Sequence, residues 1–289
     1  MRHVPDGPSD VTRPFLFCID GRDLRPREIA KSLWHDQQVS GGAVCCALAR
    51  SAEQAVIALG RDDVRPAHFG VDLLAPVSMG TLTIETTARH QSRRTCVTET
   101  LLQQDGMIKA RATTVLLVAA EDPAGTVWDH HDDLVAPPPP DMTAAAPTRP
   151  LFWTPEAGWS PDLQKHQRPE RHQVWSAVAD VVSGETPSPF VTVAGVADLT
   201  NPVTNWGERG VGFINTDVRL SIVRLPAAHQ VGLAATSRHS SAGLAVGTAT
   251  VFDRIGPIGT AMVMGLAKGY RPVDLSGAWI DADGRWSMS

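Results

Sequence analysis

The sequence predicts an α+β fold in which two antiparallel sheets each wrap around a long central helix. Two observations lead to this prediction. A nearly apolar helical segment begins near Gly42 and is followed by short strand-patterned runs with short connections, an order that favours an antiparallel sheet over βαβ alternation. The same order of segments returns after residue 168, which indicates two copies of one structural unit.

The first predicted helix has almost no polar face. From Ala43 to Leu59 its polar residues are Arg50, Ser51, Glu53 and Gln54. A helix with so little polar surface must be buried around nearly its whole circumference. A sheet curled around the helix provides that burial, and two such units in one chain form the double hotdog arrangement.

Strand patterns support the repeat in detail. The first half contains the runs HFGVDLL, GTLTIETTARH, TCVTETLLQQ and MIKARATTVLLVA, and the QDG turn before the last run predicts a hairpin. In the second half the helix candidate SPFVTVAGVADLTN precedes VRLSIVRL, VGLAATSRH, LAVGTATVFD and IGTAMVMGLAKG. Three features recur at a displacement of about 150 residues: Pro76 with Pro226, Arg89-His90 with Arg238-His239, and the QDGMIKARA turn with RIGPIGTAM.

A proline-rich segment divides the two units. It contains APPPPDMTAAAPTRP and shows no sustained period, which is typical of a linker. The predicted organisation is therefore an N-terminal hotdog over residues 1–120, a linker over 121–168 and a C-terminal hotdog over 169–289.

The composition and charge of the chain limit the kinds of binding partner that we expect. The 289 residues carry a formal net charge of -5 with a pI of about 6.0, so we expect no nucleic acid. No apolar run approaches the roughly 20 residues of a membrane span, and the N-terminus has no signal-peptide core, so we expect a cytoplasmic protein. The four cysteines follow no CxxC spacing and are predicted to be buried. The DHHDD run at 129–133 has no further ligand at useful spacing, so we expect no metal.

Several stretches resemble the TesB-like acyl-CoA thioesterases, also called the acyl-CoA thioesterase II family, which are double hotdog proteins. In the first half these are SGGAVCCAL, DLLAP and RHQSRRTCV. In the second half they are QVW at 173–175, VADLTN at 196–201 and FINTDVRLSIVR. The resemblance implies hydrolysis of the small-molecule substrate acyl-CoA to a carboxylic acid and free CoA, without a cofactor. Because a double hotdog already contains one pairing, both monomer and homodimer are consistent with it.

The resemblance also implies a catalytic set of an Asp, a Thr or Ser and a Gln, placed around a water molecule in the second hotdog. It places the Asp at Asp217 and the Thr at Thr236. The Gln position falls on Val263, and valine can neither hold a water molecule nor donate a hydrogen bond. Gln37 or Gln38, just before the first helix, is a candidate substitute.

The glycine pair Gly41 and Gly42 is the predicted substrate-binding feature. The first N–H groups of a helix have no internal partner, and the helix dipole favours negative charge there. Without a Cβ, a thioester carbonyl can approach these N–H groups closely. The alternative is a helix start that packs tightly under a neighbouring strand, with Ser40 as N-cap.

Other interpretations of these residues and other functions remain open. The arginines and histidines at 89, 90, 93, 94, 238 and 239 either bind CoA phosphates or lie on solvated strand faces. Val263 favours a non-hydrolytic acyl or acyl-CoA binding protein of the same fold, and His35 with Asp36 offers the pair that a hydratase or dehydratase needs. The absence of GxSxG disfavours a serine nucleophile on a nucleophile elbow.

Overall fold

The structure is a computed structural model that describes residues 13–128, 134–144, 146, 148–267, 269 and 272–288. The strands of the first half are β1 (Phe15–Asp20), β2 (Asp23–Pro26), β3 (Val64–Leu73), β4 (Thr83–Gln91), β5 (Thr95–Gln104) and β6 (Met107–Val118). Those that follow are β7 (Leu151–Thr154), β8 (Gly158–Ser160), β9 (Gln173–Ser176), β10 (Asp180–Val182), β11 (Trp206–Gly207), β12 (Gly210–Val211), β13 (Phe213–Asn215), β14 (Asp217–Ile222), β15 (Val231–Ser241), β16 (Leu244–Phe252), β17 (Pro257–Ala267), β18 (Ala278–Ile280) and β19 (Trp286–Met288). The α-helices are α1 (Gly41–Ala58), α2 (Pro140–Ala144), α3 (Pro189–Ala197) and α4 (Thr200–Asn205), and short 3-10 helices cover Glu28–Ala30 and Leu163–His166.

The two halves have the same strand order, which confirms the double hotdog. The first half runs β4-β5-β6-β3 and the second runs β15-β16-β17-β14. The innermost strands, β3 and β14, pair antiparallel, with Val71 opposite Val218. This pairing joins the halves into one continuous 12-stranded sheet, so neither inner edge is left open to other chains.

The predicted strands of the first half coincide closely with the observed ones. β5 and β6 form a hairpin whose turn residues Asp105 and Gly106 have φ values of 53° and 72°, as the QDG sequence predicts. β6 ends at Val118, next to the predicted boundary at residue 120. In the part of the chain that the structure describes, no helix is long and apolar enough to cross a membrane.

Helix α1 lies in the core, and its N-terminus is capped by the Ser40 side chain, which accepts a hydrogen bond from the Ala43 N–H at 3.2 Å. Its second-half counterpart is not one long helix. The chain forms α3, turns at Asp198 and Leu199, and continues as α4. Pro202 lacks the N–H that would bond the Asp198 carbonyl, so the helical hydrogen-bond ladder is interrupted there.

The segment predicted as a linker is more ordered than expected. β7 lies inside residues 121–168 and pairs with β9, which extends the sheet of the second half. Leu151 and Phe152 of this strand are buried. With four residues, β7 is too short to show a period in the sequence, which explains why it was not predicted.

The N-terminal strand crosses to the other half. β1 pairs parallel with β10, with Phe17 opposite Val182, so this strand from the first half is held by the second repeat. Of the cysteines, Cys45, Cys46 and Cys96 are buried as predicted, whereas Cys18 is exposed. Cys18 lies where β1 reaches the surface, in the exposed second half of that strand.

Candidate functional site

A cavity of ≈ 600 Å³ lies between the two halves. Its wall is formed by the start of α1, the loop after β3, the end of α3, the strand residues around Asn215 and the C-terminal tail over residues 273–286. Most lining side chains are aliphatic or aromatic, and polar side chains, among them Lys31, Asp198 and Asp283, lie between them. This combination is typical of a small-molecule site.

The glycine pair of α1 faces a carboxylate from the other half of the molecule. The Gly42 N–H donates a hydrogen bond to the Asp198 side chain. A Cβ on Gly41 would collide with Asp198 Oδ1 and lie 2.9 Å from Oδ2. The carboxylate therefore occupies the space that a side chain at Gly41 would need, which is the physical reason for a glycine at this helix start.

Burial raises the pKa of Asp198 to about 6, although hydrogen bonds from Asn215 and from the Gly42 N–H favour the charged form and act in the opposite direction. Asp198 lines the cavity and is partly buried. A carboxylate whose pKa lies near neutrality can accept a proton and release it again under ordinary conditions. Such a group in a cleft is a candidate catalytic base.

Asparagine side chains hold Asp198 from the other side. Asn215 donates its Nδ2 hydrogen to Asp198 Oδ1. Asn201 in turn donates to Asn215 Oδ1 at 3.2 Å and to the Phe213 carbonyl at 2.8 Å. Asn201 Oδ1 accepts from Asn205 Nδ2 at 3.0 Å.

This asparagine chain, Asn205–Asn201–Asn215, has one direction. At its outer end Arg238 Nε donates to Asn205 Oδ1 at 2.9 Å, and a guanidinium can only donate. The Phe213 carbonyl can only accept, so it fixes the Asn201 amide in the same sense. Every amide in the chain therefore presents its NH₂ group towards Asp198.

The structure does not bring Asp217 and Thr236, the expected catalytic pair, into this cavity. Asp217 begins β14, where Val218, Leu220 and Ile222 point into the core. Because side chains alternate along a strand, Asp217 lies on the outer face of the sheet. Its Oδ1 accepts from the Met264 N–H at 2.7 Å, and its Oδ2 lies 3.2 Å from Arg219 Nε.

Thr236 lies at an irregularity in β15, between Ala235 and Ser237. Its hydroxyl bonds the Thr248 hydroxyl at 2.8 Å. Val263 is fully buried in the core and pairs with Gly247. Neither Thr236 nor Val263 lines the cavity, so the expected convergence of these two residues with Asp217 is not what the structure shows.

Of the remaining residues predicted to have a role, some line the cavity and others lie outside it. Gln38 lines the cavity, whereas the adjacent Gln37 is exposed and does not. His35 and Asp36 are also exposed and lie outside the cavity lining. Among the residues that the structure describes, no cluster of three His, Cys, Asp or Glu side chains could hold a metal ion; the DHHDD run lies outside those residues.

The basic residues expected near CoA are exposed, four of them on strands β4 and β15 and two, Arg93 and Arg94, in the bend between β4 and β5. Arg89 pairs with Glu99, with 3.0 Å between Nε and Oε2. Arg238 differs from the other basic residues because its guanidinium donates a hydrogen bond to Asn205, the outer residue of the asparagine chain.

Asp198, Asn201 and Asn215 were not predicted as site residues, although the stretches VADLTN and FINTD contain them. One signal was present. An aspartate at the C-terminal end of a helix opposes the helix dipole, so a carboxylate placed there calls for an explanation other than helix stability.

Comparison with known protein families shows which family the chain belongs to. The model of the acyl-CoA thioesterase N-terminal domain matches residues 30–118, and that of the acyl-CoA thioesterase C-terminal domain matches residues 129–264. The chain belongs to the acyl-CoA thioesterase family. A search of curated proteins found no match.

Solved structures agree with this thioesterase fold. A tesB protein of Mycobacterium avium subs paratuberculosis is 16% identical, with a TM-score of 0.61 over 87% of this chain and 95% of its own. Acyl-CoA thioesterase II TesB2 of Mycobacterium marinum is 17% identical, with a TM-score of 0.59 over 88% of this chain and 96% of its own. A hot dog fold protein of unknown function from Alicyclobacillus acidocaldarius is 17% identical, with a TM-score of 0.61 over 88% and 96%. At these identities the likeness establishes the fold alone.

Proposed function

We propose that the protein hydrolyses acyl-CoA thioesters by direct attack of water, with Asp198 as the general base. One observation carries the proposal: a carboxylate whose pKa is raised to about 6 lies against the N-terminus of α1 inside an apolar cavity. Membership of the acyl-CoA thioesterase family supports the substrate class.

The chemistry requires few groups. Asp198 accepts a proton from water while the water oxygen bonds to the thioester carbon, and the carbonyl oxygen becomes an oxyanion. The carbon–sulfur bond then breaks, and CoA leaves as a thiolate, whose conjugate thiol has a pKa of about 8.5, so no strong acid is needed. The proton on Asp198 passes to the thiolate or to solvent, which restores the base.

The first turn of α1 is the proposed site for the oxyanion. The Gly41 N–H belongs to the group of helix-start donors that have no intrahelical partner, and the dipole there favours negative charge. The Gly42 N–H bonds Asp198, so Gly42 orients the base and Gly41 receives the thioester oxygen. The asparagine chain holds the same carboxylate from the opposite side, and a base fixed from both sides is already in position before the reaction.

The test is a panel of acyl-CoA esters of increasing chain length, incubated with the purified protein while free thiol is followed. Release of CoA with a matching amount of free acid supports the proposal. Tight binding without release of CoA from any ester would instead support a non-hydrolytic acyl-CoA binding protein. This is the hypothesis that the apolar Val263 favours. Neither release nor binding across the panel would reject both.

Gln38 is the amide that we propose for the role expected of the family glutamine, namely to hold the attacking water. Replacing Gln38 by Leu is expected to lower kcat for acyl-CoA hydrolysis by about tenfold to a hundredfold, because a positioned hydrogen-bonding group is lost. The control is Gln37→Leu at the neighbouring exposed position, which should leave kcat unchanged. Equal rates for both variants would remove Gln38 from the mechanism.

A further inference from the structure

We propose that the C-terminal tail, residues 272–288, determines which acyl groups the cavity accepts, and that Trp286 is the side chain against which the acyl chain ends. This inference rests on the proposed function, because it names the specificity element of the same site. The match to the thioesterase family ends at residue 264. The tail therefore lies beyond the part of the chain that the family model describes.

The tail forms part of the cavity wall. Val273, Leu275 and Trp286 supply apolar surface to it. Leu275 is almost fully buried, and Trp286 is partly buried against the main core. An apolar chain that enters between the halves would meet these side chains as well as those of the hotdog core.

The tail is held in place at its first residues. The Val273 and Val211 backbones exchange two hydrogen bonds, of 3.0 Å from the Val211 N–H and 2.9 Å from the Val273 N–H. The Leu275 N–H donates to Gln167 Oε1 at 2.9 Å. These bonds attach the tail to β12 and to the segment before β9, so its backbone is held beside the cavity.

The end of the tail is fixed as well. β18 and β19 form a hairpin in which Ile280 lies opposite Trp286. The turn between them is closed by Asp281, whose Oδ1 accepts from the Arg285 N–H at 2.9 Å. The Trp286 ring meets Phe152 edge to face, with centroids 6.3 Å apart. Trp286 is thus a packed, oriented side chain at the cavity wall.

The hairpin supplies its own control residue. Trp279, next to Ile280, is 53% exposed and is not part of the cavity wall. Side chains alternate along each strand, so the two tryptophans lie on opposite faces of one small hairpin. Replacing either one removes the same number of atoms from the same element, but only Trp286→Ala enlarges the cavity.

A second control pair acts through the backbone. A Cβ on Gly210 would collide with the Val273 carbonyl oxygen and lie 2.7 Å from its carbonyl carbon, and the φ of Gly210 is +93°. An alanine there must displace the start of the tail. Gly207 lies in the same short hairpin, and a Cβ added to it would meet no described atom within 4 Å, so Gly207→Ala should leave the tail in place.

The experiment measures kcat/KM across the acyl-CoA panel for the wild type and for two sets of variants. Trp286→Ala, Trp286→Phe and Gly210→Ala change the tail, and Trp279→Ala and Gly207→Ala are their controls. In Trp286→Ala the ratio of kcat/KM for the longer to the shorter acyl groups should rise by about tenfold or more, since each methylene in an apolar pocket changes discrimination by that order. Trp286→Phe, which keeps an aromatic ring against Phe152, should shift the ratio in the same direction by less. Trp279→Ala should reproduce the wild-type profile.

The outcomes separate the two proposals. If the wild type releases no CoA from any ester, the proposed function fails. If the wild type is active and Trp286→Ala, Trp286→Phe and Gly210→Ala all keep its chain-length profile, the tail proposal is overturned while the function stands. Circular dichroism shows whether Trp286→Ala folds. If it does not fold, the chain-length profiles of Trp286→Phe and Gly210→Ala decide whether the tail proposal holds. A shift in any of the three tail variants, with Trp279→Ala and Gly207→Ala unchanged, supports the tail as the specificity element.

Discussion

Replacing Asp198 by Asn is expected to lower kcat for acyl-CoA hydrolysis by about 10²- to 10⁴-fold, the usual contribution of a positioned general base. An amide cannot accept the proton that water must lose. Asn has nearly the shape of Asp, so the cavity and its apolar wall should persist. KM and direct binding of acyl-CoA should therefore change much less than kcat.

The same base predicts the pH dependence of the wild type. Asp198 must be deprotonated to act, and burial raises its pKa to about 6. Consequently kcat should fall as the pH drops through that value and level off above it. The measurement is kcat at saturating acyl-CoA over a pH series. A kcat that stays flat while the pH crosses the pKa would contradict a rate-limiting role for this carboxylate.

Gly41→Ala is the second change with a large expected effect. The new Cβ would collide with Asp198 Oδ1, so the carboxylate must move away from the start of α1. Displacement of a catalytic group by about 1 Å costs on the order of a hundredfold in rate, and we expect a loss of kcat of that size.

The fold should tolerate this change. The group that must give way is the end of the Asp198 side chain, and alanine favours a helix more than glycine does. Thermal unfolding should show a melting temperature within a few degrees of the wild type, and Gly207→Ala should retain both stability and kcat. A Gly41→Ala variant with wild-type kcat would mean that Asp198 does not need its observed position.

The sequence alone predicted the fold because the signals are local. Each strand run alternates or is bounded by turn residues, and the QDG turn sets the hairpin between β5 and β6. Repeat spacing then predicted two units with one topology. The sequence did not predict that the helical hydrogen bonds are interrupted at Pro202, which divides the second helix into α3 and α4. Nor did it predict the short strand β7 inside a proline-rich segment.

The residues proposed for catalysis were harder to predict because the cavity is built across the two halves. Gly41 and Asp198 meet only because α1 packs against α3, a contact between residues that are far apart in the sequence. Asp217, the aspartate that the resemblance implies, directly follows the cavity-lining residues Asn215 and Thr216. Its own side chain lies on the outer face of the sheet and accepts a hydrogen bond from the Met264 N–H. Which face a residue takes at the start of a strand depends on register, which a single sequence does not determine.

The most direct test of the account compares CoA release by Asp198→Asn and Asp217→Asn on the same acyl-CoA ester, at a pH above the pKa of Asp198. Both variants remove one carboxylate charge and leave the side-chain shape nearly unchanged. We expect Asp198→Asn to lose hydrolysis and Asp217→Asn to keep a kcat close to that of the wild type. Loss of activity in Asp217→Asn together with retained activity in Asp198→Asn would contradict this expectation.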